Sequence, residues 1–410
     1  MARLKEYNGH YCESEYEYAF IGFLEAEGWR YSSGSNISRV TKRDVLIADD
    51  FKNFISDTNS DLTEDEVTQI FDNVRLVGSE SDFATLHKVY GWMVDGVQFT
   101  PQDGLARMIQ LIDFENPDKN IFRVVNQFTV EYTNNGQKEN RRPDVLLFVN
   151  GMPLCVIELK NPADANATIY DAWEQINIRY WRDIPHLLHY CPLACISDGV
   201  KTRLGTVRTP YEHFYAWRRV NEGDAVSTLP FEETETMIKG VYAPERFLEI
   251  FRDYIYFQDS IYDSDEVEIV CRYPQFFAAR LLKQSIINSV ATQSGKGGTY
   301  FGATGCGKTY TMAFLARQLA LRCTDIPEIG SPTIILIVDR DELQKQGAKL
   351  FTKSTEFLNL GEVSVVKNRA QLRQELGARQ SGGFYICTIQ KFCDREDDKI
   401  GLINNRQNII

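Results

Sequence analysis

The chain has 410 residues, of which 43% are hydrophobic and 25% are charged. Its length favours two or three domains, and its composition excludes a mainly disordered, collagenous or fibrous protein. The formal net charge is −12, which argues against binding to DNA or an anionic membrane by bulk charge but leaves room for a local basic groove.

Cysteine usage indicates the compartment. The nine cysteines are scattered, and no CxxC pair occurs. This favours reduced thiols over a secreted disulfide framework. The N-terminal segment MARLKEYNGHYCESEYEYAF lacks an apolar signal core, and no apolar run approaches the roughly 20 residues of a membrane helix. We therefore expect a cytoplasmic protein with no membrane partner.

Residues 1–220 carry the elements of a mixed α/β domain. Residues 15–27 predict a short amphipathic helix that Gly28 ends. A β-rich block begins near residue 120, with a hairpin turn predicted at Asn135-Gly136. Residues 167–184 predict a helix, and LLHYCPLACISDG and HFYAWRRV predict later strands of the same sheet.

The second half of the chain has a different pattern. Residues 221–236 are acidic and turn-rich, and we interpret 221–269 as an acidic linker with a connecting helix. From residue 270 onward, helix, strand, glycine-rich loop, helix and strand alternate, which is typical of a parallel α/β domain. The sequence thus predicts three segments: 1–220, 221–269 and 270–410.

The segment GATGCGKT, residues 302–309, is here called the phosphate loop. It matches G-x-x-x-x-G-K-[ST] and lies between a predicted strand, GTYF, and a predicted helix. Gly302, Gly305 and Gly307 let backbone N–H groups face phosphates. Lys308 is expected to reach the β- and γ-phosphates of ATP, and Thr309 to ligate Mg²⁺. The alternative is a glycine-rich turn with a chance lysine.

Two further residues bear on a nucleotide site. Gln275 precedes a predicted helix about 30 residues before the phosphate loop, where its amide can read adenine. Cys306 lies inside the loop, so a thiol-specific reagent should block nucleotide binding.

A second pattern combines carboxylates and a lysine in RRPDVLLFVNGMPLCVIELKNP. Asp144 begins one predicted strand and Glu158 ends the next, so a tight turn would bring both carboxylates to one end of a hairpin. With the backbone carbonyl of Leu159 they form a set of hard oxygen ligands suited to Mg²⁺. Lys160 shares a strand face with Glu158 and can orient water or stabilise a pentavalent phosphate. The alternative is a surface salt bridge between Glu158 and Lys160.

The neighbouring elements offer further candidates. In DAWEQINIRYW, Gln175 and Tyr180 could face DNA phosphates, but five α-helical residues rotate by about 500°, which leaves the two directions about 140° apart. Glu17 is a candidate extra carboxylate, with Glu13 and Glu15 as competitors. The local charge is basic, as a phosphate-facing cleft requires, through Arg141, Arg142, Lys160, Arg179 and Arg182.

Together these motifs resemble the restriction (R, motor) subunit of type I restriction–modification enzymes. The likeness covers nearly the whole chain, with the nuclease motifs ahead of the helicase motifs. It implies a PD-(D/E)xK nuclease domain, with a mixed central sheet flanked by helices, followed by a RecA-like helicase lobe. Asp144, Glu158 and Lys160 then match the catalytic set, and Gln175 and Tyr180 match the glutamine–tyrosine motif. Gln275, like Lys308 and Thr309, matches the ATP site.

The resemblance also implies cofactors and partners. They are Mg²⁺, ATP, double-stranded DNA, and methyltransferase and specificity subunits through which S-adenosylmethionine acts. The family carries a DExH box and a second helicase lobe that this sequence lacks, so we expect an N-terminal fragment that does not hydrolyse ATP or translocate on its own. Two alternatives stay open: the nuclease-bearing end of a stand-alone repair helicase–nuclease, and a DNA-binding or assembly module with a vestigial nuclease site.

Overall fold

The computed structural model describes residues 13–78, 80–102, 104–161, 168–226, 232–258, 266–359, 361, 363–393 and 399–410. The chain forms two compact units, Met1–Arg252 with Glu268–Val270, and Asp253–Val267 with Cys271–Ile410. Both units mix helices with strands.

The strands are β1 Arg30–Ser33, β2 Val97–Phe99, β3 Arg107–Ile109, β4 Phe122–Asn126, β5 Val130–Asn134, β6 Gln137–Arg141, β7 Val145–Val149, β8 Met152–Leu159, β9 Leu193–Ser197, β10 Thr202–Thr206, β11 Ile255–Phe257, β12 Glu268–Val270, β13 Ile334–Val338, β14 Val363–Val365 and β15 Phe384–Thr388. The α-helices are α1 Glu13–Ala26, α2 Ala48–Thr58, α3 Glu64–Arg75, α4 Asp82–Asp95, α5 Ile169–Glu174, α6 Trp181–Asp183, α7 Pro185–Leu188, α8 Glu232–Met237, α9 Pro244–Asp253, α10 Tyr273–Ala291, α11 Lys308–Leu321, α12 Asp341–Thr352, α13 Thr355–Leu358 and α14 Arg369–Ala378. Gln175–Tyr180 and Ile238–Tyr242 are π-helical, and short 3₁₀ turns occupy Gly34–Asn36, Pro117–Lys119, Tyr211–His213 and Ile389–Lys391.

The first unit is organised around a mixed sheet with strand order β1-β4-β7-β8-β9-β10. The pairs β1/β4 and β8/β9 are parallel, and the other neighbours are antiparallel. Every residue of β7 and β8 is buried, as expected for apolar strands covered on both faces. The predicted mixed α/β sheet is therefore confirmed for this unit.

The turn between β7 and β8 starts the pairing of the hairpin. Asn150 and Gly151 both have positive φ, 50° and 76°, which is the geometry of the two-residue turns that match strand twist. A Cβ on Gly151 would lie 2.2 Å from the Ile47 carbonyl oxygen, so this position requires glycine. A β-bulge between Leu147 and Phe148 then shifts the pairing by one residue, so Val145 pairs with Ile157 and Asp144 lies across from Glu158.

The predicted turn at Asn135-Gly136 forms, and it joins β5 and β6 in a separate two-stranded sheet. By contrast, HFYAWRRV is not a strand. It makes one isolated bridge, Leu204 with Tyr215. The ring of Phe214 covers Gly205, where a Cβ would meet it at 2.6 Å, so packing of this ring replaces strand pairing.

The second unit contains a parallel sheet of order β13-β15-β14. Its core includes Val366, Leu372, Leu376, Tyr385 and Cys387. The predicted helix after Gln275 and the predicted strand TIILIVD are present as α10 and β13.

The predicted strand GTYF is not formed. Residues 294–303 belong to no strand, and Phe301 is 94% exposed. An extended apolar segment becomes a strand only where a neighbour pairs with its backbone groups. Among the described residues of this unit, no strand pairs with this segment.

Candidate active site

Asp144 and Glu158 meet at one end of the β7–β8 hairpin. The backbone N–H of Asp144 lies 3.4 Å from Glu158 Oε1, and the Leu159 N–H donates to Asp144 Oδ2 at 2.8 Å. Both carboxylates are buried, with residue exposures of 8% and 0%. The Leu159 side chain is also buried, which leaves its backbone to face the carboxylates.

Lys160 follows directly and reaches the same cluster. Its Nζ donates to Gln175 Oε1 at 3.0 Å, and its backbone N–H donates to the Ser197 carbonyl at 2.8 Å. A surface salt bridge with Glu158 is therefore not the arrangement present, because Glu158 is buried and Lys160 bonds to an amide. We call Asp144, Glu158, Lys160, Gln175 and Tyr180 the carboxylate site.

Gln175 and Tyr180 both hold Glu158. Gln175 Nε2 donates to Glu158 Oε2 at 2.6 Å, and the Tyr180 hydroxyl donates to Glu158 Oε1 at 2.6 Å. Their side chains also lie 2.8 Å apart, Nε2 to hydroxyl. The expected divergence of 140° is wrong because residues 175–180 form a π-helical turn. Its i→i+5 hydrogen bonding brings residues five apart into line, and such turns are frequent at functional sites.

The cluster has strong electrostatic consequences. Burial, and then the charge of Asp144, raises the pKa of Glu158 well above its usual value, while Lys160 and the Tyr180 hydroxyl oppose the shift. Burial and the charge of Glu158 raise the pKa of the Tyr180 hydroxyl. The hydroxyl therefore stays protonated and can donate. Two close carboxyl groups with so little solvent favour binding of a cation or a proton.

Glu17 is the buried carboxylate of residues 15–18 (EYEY) in α1. Its Oε1 accepts from Asn126 Nδ2 at 2.6 Å and its Oε2 from Gln127 Nε2 at 2.5 Å. Gln127 in turn donates its backbone N–H to the Asp144 carbonyl at 3.0 Å. Glu17 thus lies next to the carboxylate site, but in the described part of the chain no group of three or more His, Cys, Asp or Glu has the geometry of a metal site.

The residues predicted to contact DNA are buried or paired with acidic side chains. Tyr180 is 1% exposed, so a phosphate contact by its hydroxyl does not fit the structure, because that hydroxyl already serves Glu158. Arg179 and Arg182 are exposed, but each pairs with an acidic neighbour, Glu174 at 2.8 Å and Asp183 at 2.7 Å. Their charges are therefore partly neutralised.

Three supporting residues were not anticipated. Asn126 and Gln127 fix Glu17, and Ser197 anchors the backbone of Lys160. The sequence does carry a signal for the first two. They are polar residues directly after the apolar run of β4, at the strand end that lies beside Asp144.

The phosphate loop leads directly into α11. Gly305 and Gly307 have φ of 80° and 81°, and Gly307 caps the helix that begins at Lys308. Lys308 Nζ donates to the carbonyls of Gly302 and Ala303, both at 2.9 Å. Thr309 lies in the first helical turn. The loop thus has the curled backbone and helix N-terminus that bind phosphates.

Gln275 lies against this loop rather than in open solvent. Its Nε2 donates to the Gly307 carbonyl at 3.0 Å, and its Oε1 accepts from the Arg272 N–H at 2.8 Å. The residue is 3% exposed. Both ends of the amide are occupied, so adenine recognition by Gln275 requires these bonds to exchange.

The fold and the two sites define the class of protein. It is a mixed α/β protein with a buried carboxylate–lysine cluster in one unit and a phosphate-binding loop in the other. Comparisons with known families then specify it. Residues 11–213 match the model for the type I restriction enzyme R protein N terminus, and residues 274–410 match the SWI2/SNF2 ATPase model. The chain therefore resembles type I restriction enzyme R proteins, most specifically over residues 11–213.

Individual relatives agree with this assignment. The chain is 29% identical to the type I restriction enzyme HindI endonuclease subunit of Haemophilus influenzae, over 97% of this chain and 38% of that protein. It is 26% identical to the SauCOLORF180P endonuclease subunit of Staphylococcus aureus, over 90% of this chain and 36% of that protein. The chain therefore spans less than two fifths of the length of these relatives. No helix in the described ranges combines the length and apolar character needed to cross a bilayer.

Proposed function

We propose that the carboxylate site hydrolyses phosphodiester bonds of double-stranded DNA with Mg²⁺, as the PD-(D/E)xK nuclease of a type I restriction R subunit. The observation that carries this proposal is the convergence of Asp144, Glu158 and Lys160 at one strand end. Two carboxylates and an amine in reach of one another are the groups that metal-assisted phosphodiester hydrolysis uses.

The donor set suits Mg²⁺. Asp144 and Glu158 supply hard carboxylate oxygens, and the Leu159 carbonyl follows Glu158 in the chain; Mg²⁺ commonly takes one or two carboxylates and keeps several waters. Burial, and then the charge of Asp144, raises the pKa of Glu158, and a divalent cation bound to the two carboxylates would offset both effects. When bound, Mg²⁺ supplies activation of water and neutralises charge that develops on the phosphate.

The protein groups around this set have separate roles. Lys160, held by Gln175, can orient the attacking water or stabilise the phosphate as charge builds. Gln175 and Tyr180 act as positioning residues, because they fix both oxygens of Glu158. Glu17 could add a further carboxylate for water or metal, through its position beside Asp144.

We assign ATP binding to the phosphate loop, in a RecA-like lobe of the second unit. Lys308 would leave its loop carbonyls for the β- and γ-phosphates, and Thr309 would ligate the accompanying Mg²⁺. For the full-length family member we propose ATP-driven DNA translocation, and assembly with methyltransferase and specificity subunits that bring S-adenosylmethionine. The relatives in Haemophilus influenzae and Staphylococcus aureus are type I restriction endonuclease subunits, which favours this proposal over a stand-alone repair nuclease.

A plasmid-nicking assay tests the nuclease proposal. The purified chain should nick supercoiled DNA in Mg²⁺ but not in EDTA, and Lys160→Ala should remove this activity. Lys119→Ala is the matched control, because Lys119 is exposed and precedes β4 at the end opposite Asn126. Nicking that persists in Lys160→Ala would contradict the assignment.

A further inference from the structure

Residues 38–43, with the sequence SRVTKR, form an exposed segment that we call the basic loop. It lies between the 3₁₀ turn Gly34–Asn36 and α2. Lys42 and Arg43 are exposed, and so is Arg142, two residues before Asp144. Within the part of the chain that the structure describes, none of these three side chains forms an ion pair. In a chain of net charge −12, three cationic side chains without an ion pair form a local positive surface.

The other arginines near the carboxylate site each contact a carboxylate. Arg141 and Arg182 both bind Asp183, with Arg141 Nη2 at 2.6 Å and Arg182 Nε at 2.7 Å. Arg179 binds Glu174. Because Asp183 carries one charge and contacts two arginines, these charges are partly neutralised, whereas Lys42, Arg43 and Arg142 form no ion pair among the described residues.

The basic loop is held in one conformation. The backbone N–H and hydroxyl of Thr41 donate to Asp44 Oδ2 at 2.8 and 3.0 Å. Arg39 donates to the Asp44 carbonyl at 3.1 Å, and its guanidinium carbon lies 3.8 Å from the centre of the Phe128 ring. A loop fixed in this way loses little conformational entropy when it binds a partner.

A short backbone path connects the basic loop to the carboxylate site. The Glu131 N–H donates to the Lys42 carbonyl at 2.9 Å, and the Gln127 N–H donates to the Asp144 carbonyl at 3.0 Å. Residues 127 and 131 are four residues apart, so they lie at most about 14 Å from each other. With about 7 Å added for each of the two hydrogen-bonded links, the Lys42 backbone lies within roughly 28 Å of Asp144, which is about eight base-pair steps of duplex DNA at about 3.4 Å each.

We propose that the basic loop, together with Arg142, holds the phosphate backbone of duplex DNA beside the carboxylate site, on the strand flanking the scissile bond. This inference rests on the nuclease function proposed above, and it names the residues that bind the substrate. Lys42 and Arg43 act through charge on phosphates, so they confer affinity without sequence preference.

Fluorescence anisotropy with a labelled 30-bp duplex tests the inference, with Ca²⁺ in place of Mg²⁺ so that binding is measured without cleavage. Removing two phosphate contacts should lower the slope of log affinity against log salt by about two. We expect Lys42→Ala/Arg43→Ala to bind at least about tenfold more weakly at 0.1 M salt. In Mg²⁺ its nicking should show a raised KM with an unchanged kcat.

Two further variants make the result specific. Lys88→Ala/Lys119→Ala removes two exposed positive charges elsewhere on the first unit and should leave affinity and salt slope unchanged. Lys42→Arg/Arg43→Lys keeps the charge and should restore binding. If the wild-type chain nicks DNA and Lys42→Ala/Arg43→Ala binds with wild-type affinity and slope, the inference is overturned while the nuclease assignment stands. If the wild-type chain neither binds nor nicks duplex DNA, both are overturned.

Discussion

The carboxylate site and the phosphate loop differ in how completely they are assembled. In the carboxylate site, Glu158 is fully buried and both of its oxygens accept hydrogen bonds from neighbouring side chains. In the phosphate loop, Lys308 is exposed and donates to carbonyls of its own loop. The first site is built from side chains on strands and a helical turn, and the second from the backbone of a loop.

This difference follows from what each ligand needs. A metal-assisted reaction requires charged groups held to within a fraction of an ångström, which rigid strands and supporting hydrogen bonds provide. A triphosphate binds chiefly through backbone N–H groups and a helix N-terminus, so the loop can satisfy its own polar groups until an anion replaces them. We therefore expect catalysis at the carboxylate site to be lost when single polar atoms are replaced. Nucleotide binding at the phosphate loop should be lost when a bulky group is added.

The largest expected effect is that of Asp144→Asn. The substitution removes one of two carboxylates and leaves an amide N–H near the Leu159 N–H, where Asp144 now accepts a bond. We expect the nicking rate in Mg²⁺ to fall by at least about a thousandfold, measured from initial rates on supercoiled plasmid. Affinity for a fluorescent ATP analogue should not change. Substantial cleavage by this variant would show that the carboxylate site is not the reacting centre.

Alkylation of Cys306 should be the next largest effect. The thiol lies in the phosphate loop against Gly302, where a Cβ would meet Sγ at 2.6 Å. An added maleimide group therefore has to displace the loop backbone. We expect nucleotide affinity to fall by about a hundredfold, which corresponds to roughly 2.7 kcal/mol, measured with the same ATP analogue.

Cys306→Ser is the control for this experiment, because it keeps a small polar side chain and removes the reactive group. The serine variant should bind nucleotide and be unaffected by the reagent. Full ATP binding after complete modification of Cys306 would contradict the assignment of the loop.

A substitution in the π-helical turn should have an intermediate effect on the nicking rate. Tyr180→Phe removes the hydroxyl that donates to Glu158 at 2.6 Å and leaves the fold intact, since the ring stays buried. Loss of a group that orients a metal ligand typically costs about 10- to 100-fold. We expect the nicking rate to decrease by that factor. Titration with Mg²⁺ should also show a higher half-saturating concentration of the metal, because Glu158 is less well positioned to bind it.

Changing the length of this turn tests its geometry. Deleting exposed Ile178 would leave Gln175 and the tyrosine four residues apart, and four α-helical residues rotate by about 400°, only about 40° from alignment. We expect this deletion to retain more activity than insertion of one alanine after Ile178. Equal activity in both variants would mean that alignment by the π-helical turn is unimportant.

The sequence predicts the hairpin of the carboxylate site because local features determine it. Asn150-Gly151 specifies the turn, and two buried strands follow from the apolar runs beside it. The β-bulge that brings Asp144 across from Glu158 has no signal of its own in the sequence. The π-helical turn is not predictable from periodicity, because i→i+5 hydrogen bonding leaves no distinct apolar pattern. The choice of Glu17 among three glutamates depends on Asn126 and Gln127, which are more than a hundred residues away.

The failures at GTYF and HFYAWRRV have the same origin. Both segments have the composition of strands, but a strand requires a partner that the sequence does not name. For HFYAWRRV the deciding contact is Phe214 on Gly205. Long-range packing therefore decides where local propensity is ambiguous.

The smallest expected effect concerns Glu268, which is a second buried carboxyl. It allows burial alone to be compared with the combination of burial and hydrogen bonding found at Glu158. Glu268 is 4% exposed, and neither of its carboxylate oxygens has a hydrogen-bond partner within the described ranges. Burial raises its pKa well above the usual value, with the nearby Thr206 hydroxyl and then the charge of Arg208 opposing the shift. A carboxyl whose pKa is raised on folding contributes stability at low pH and loses it as the pH rises through the folded-state pKa.

Glu268→Gln should therefore become progressively more stable than the wild type as the pH rises above about 4.5, by up to about 1.4 kcal/mol per pH unit across the titration. Thermal unfolding of both proteins between about pH 5 and pH 9 measures the difference. Glu222→Gln is the matched control, because Glu222 is exposed and its substitution should produce no such slope. A difference in unfolding temperature that is independent of pH would mean that Glu268 does not titrate on this range, and that burial without partners does not shift a carboxyl here as it does at Glu158.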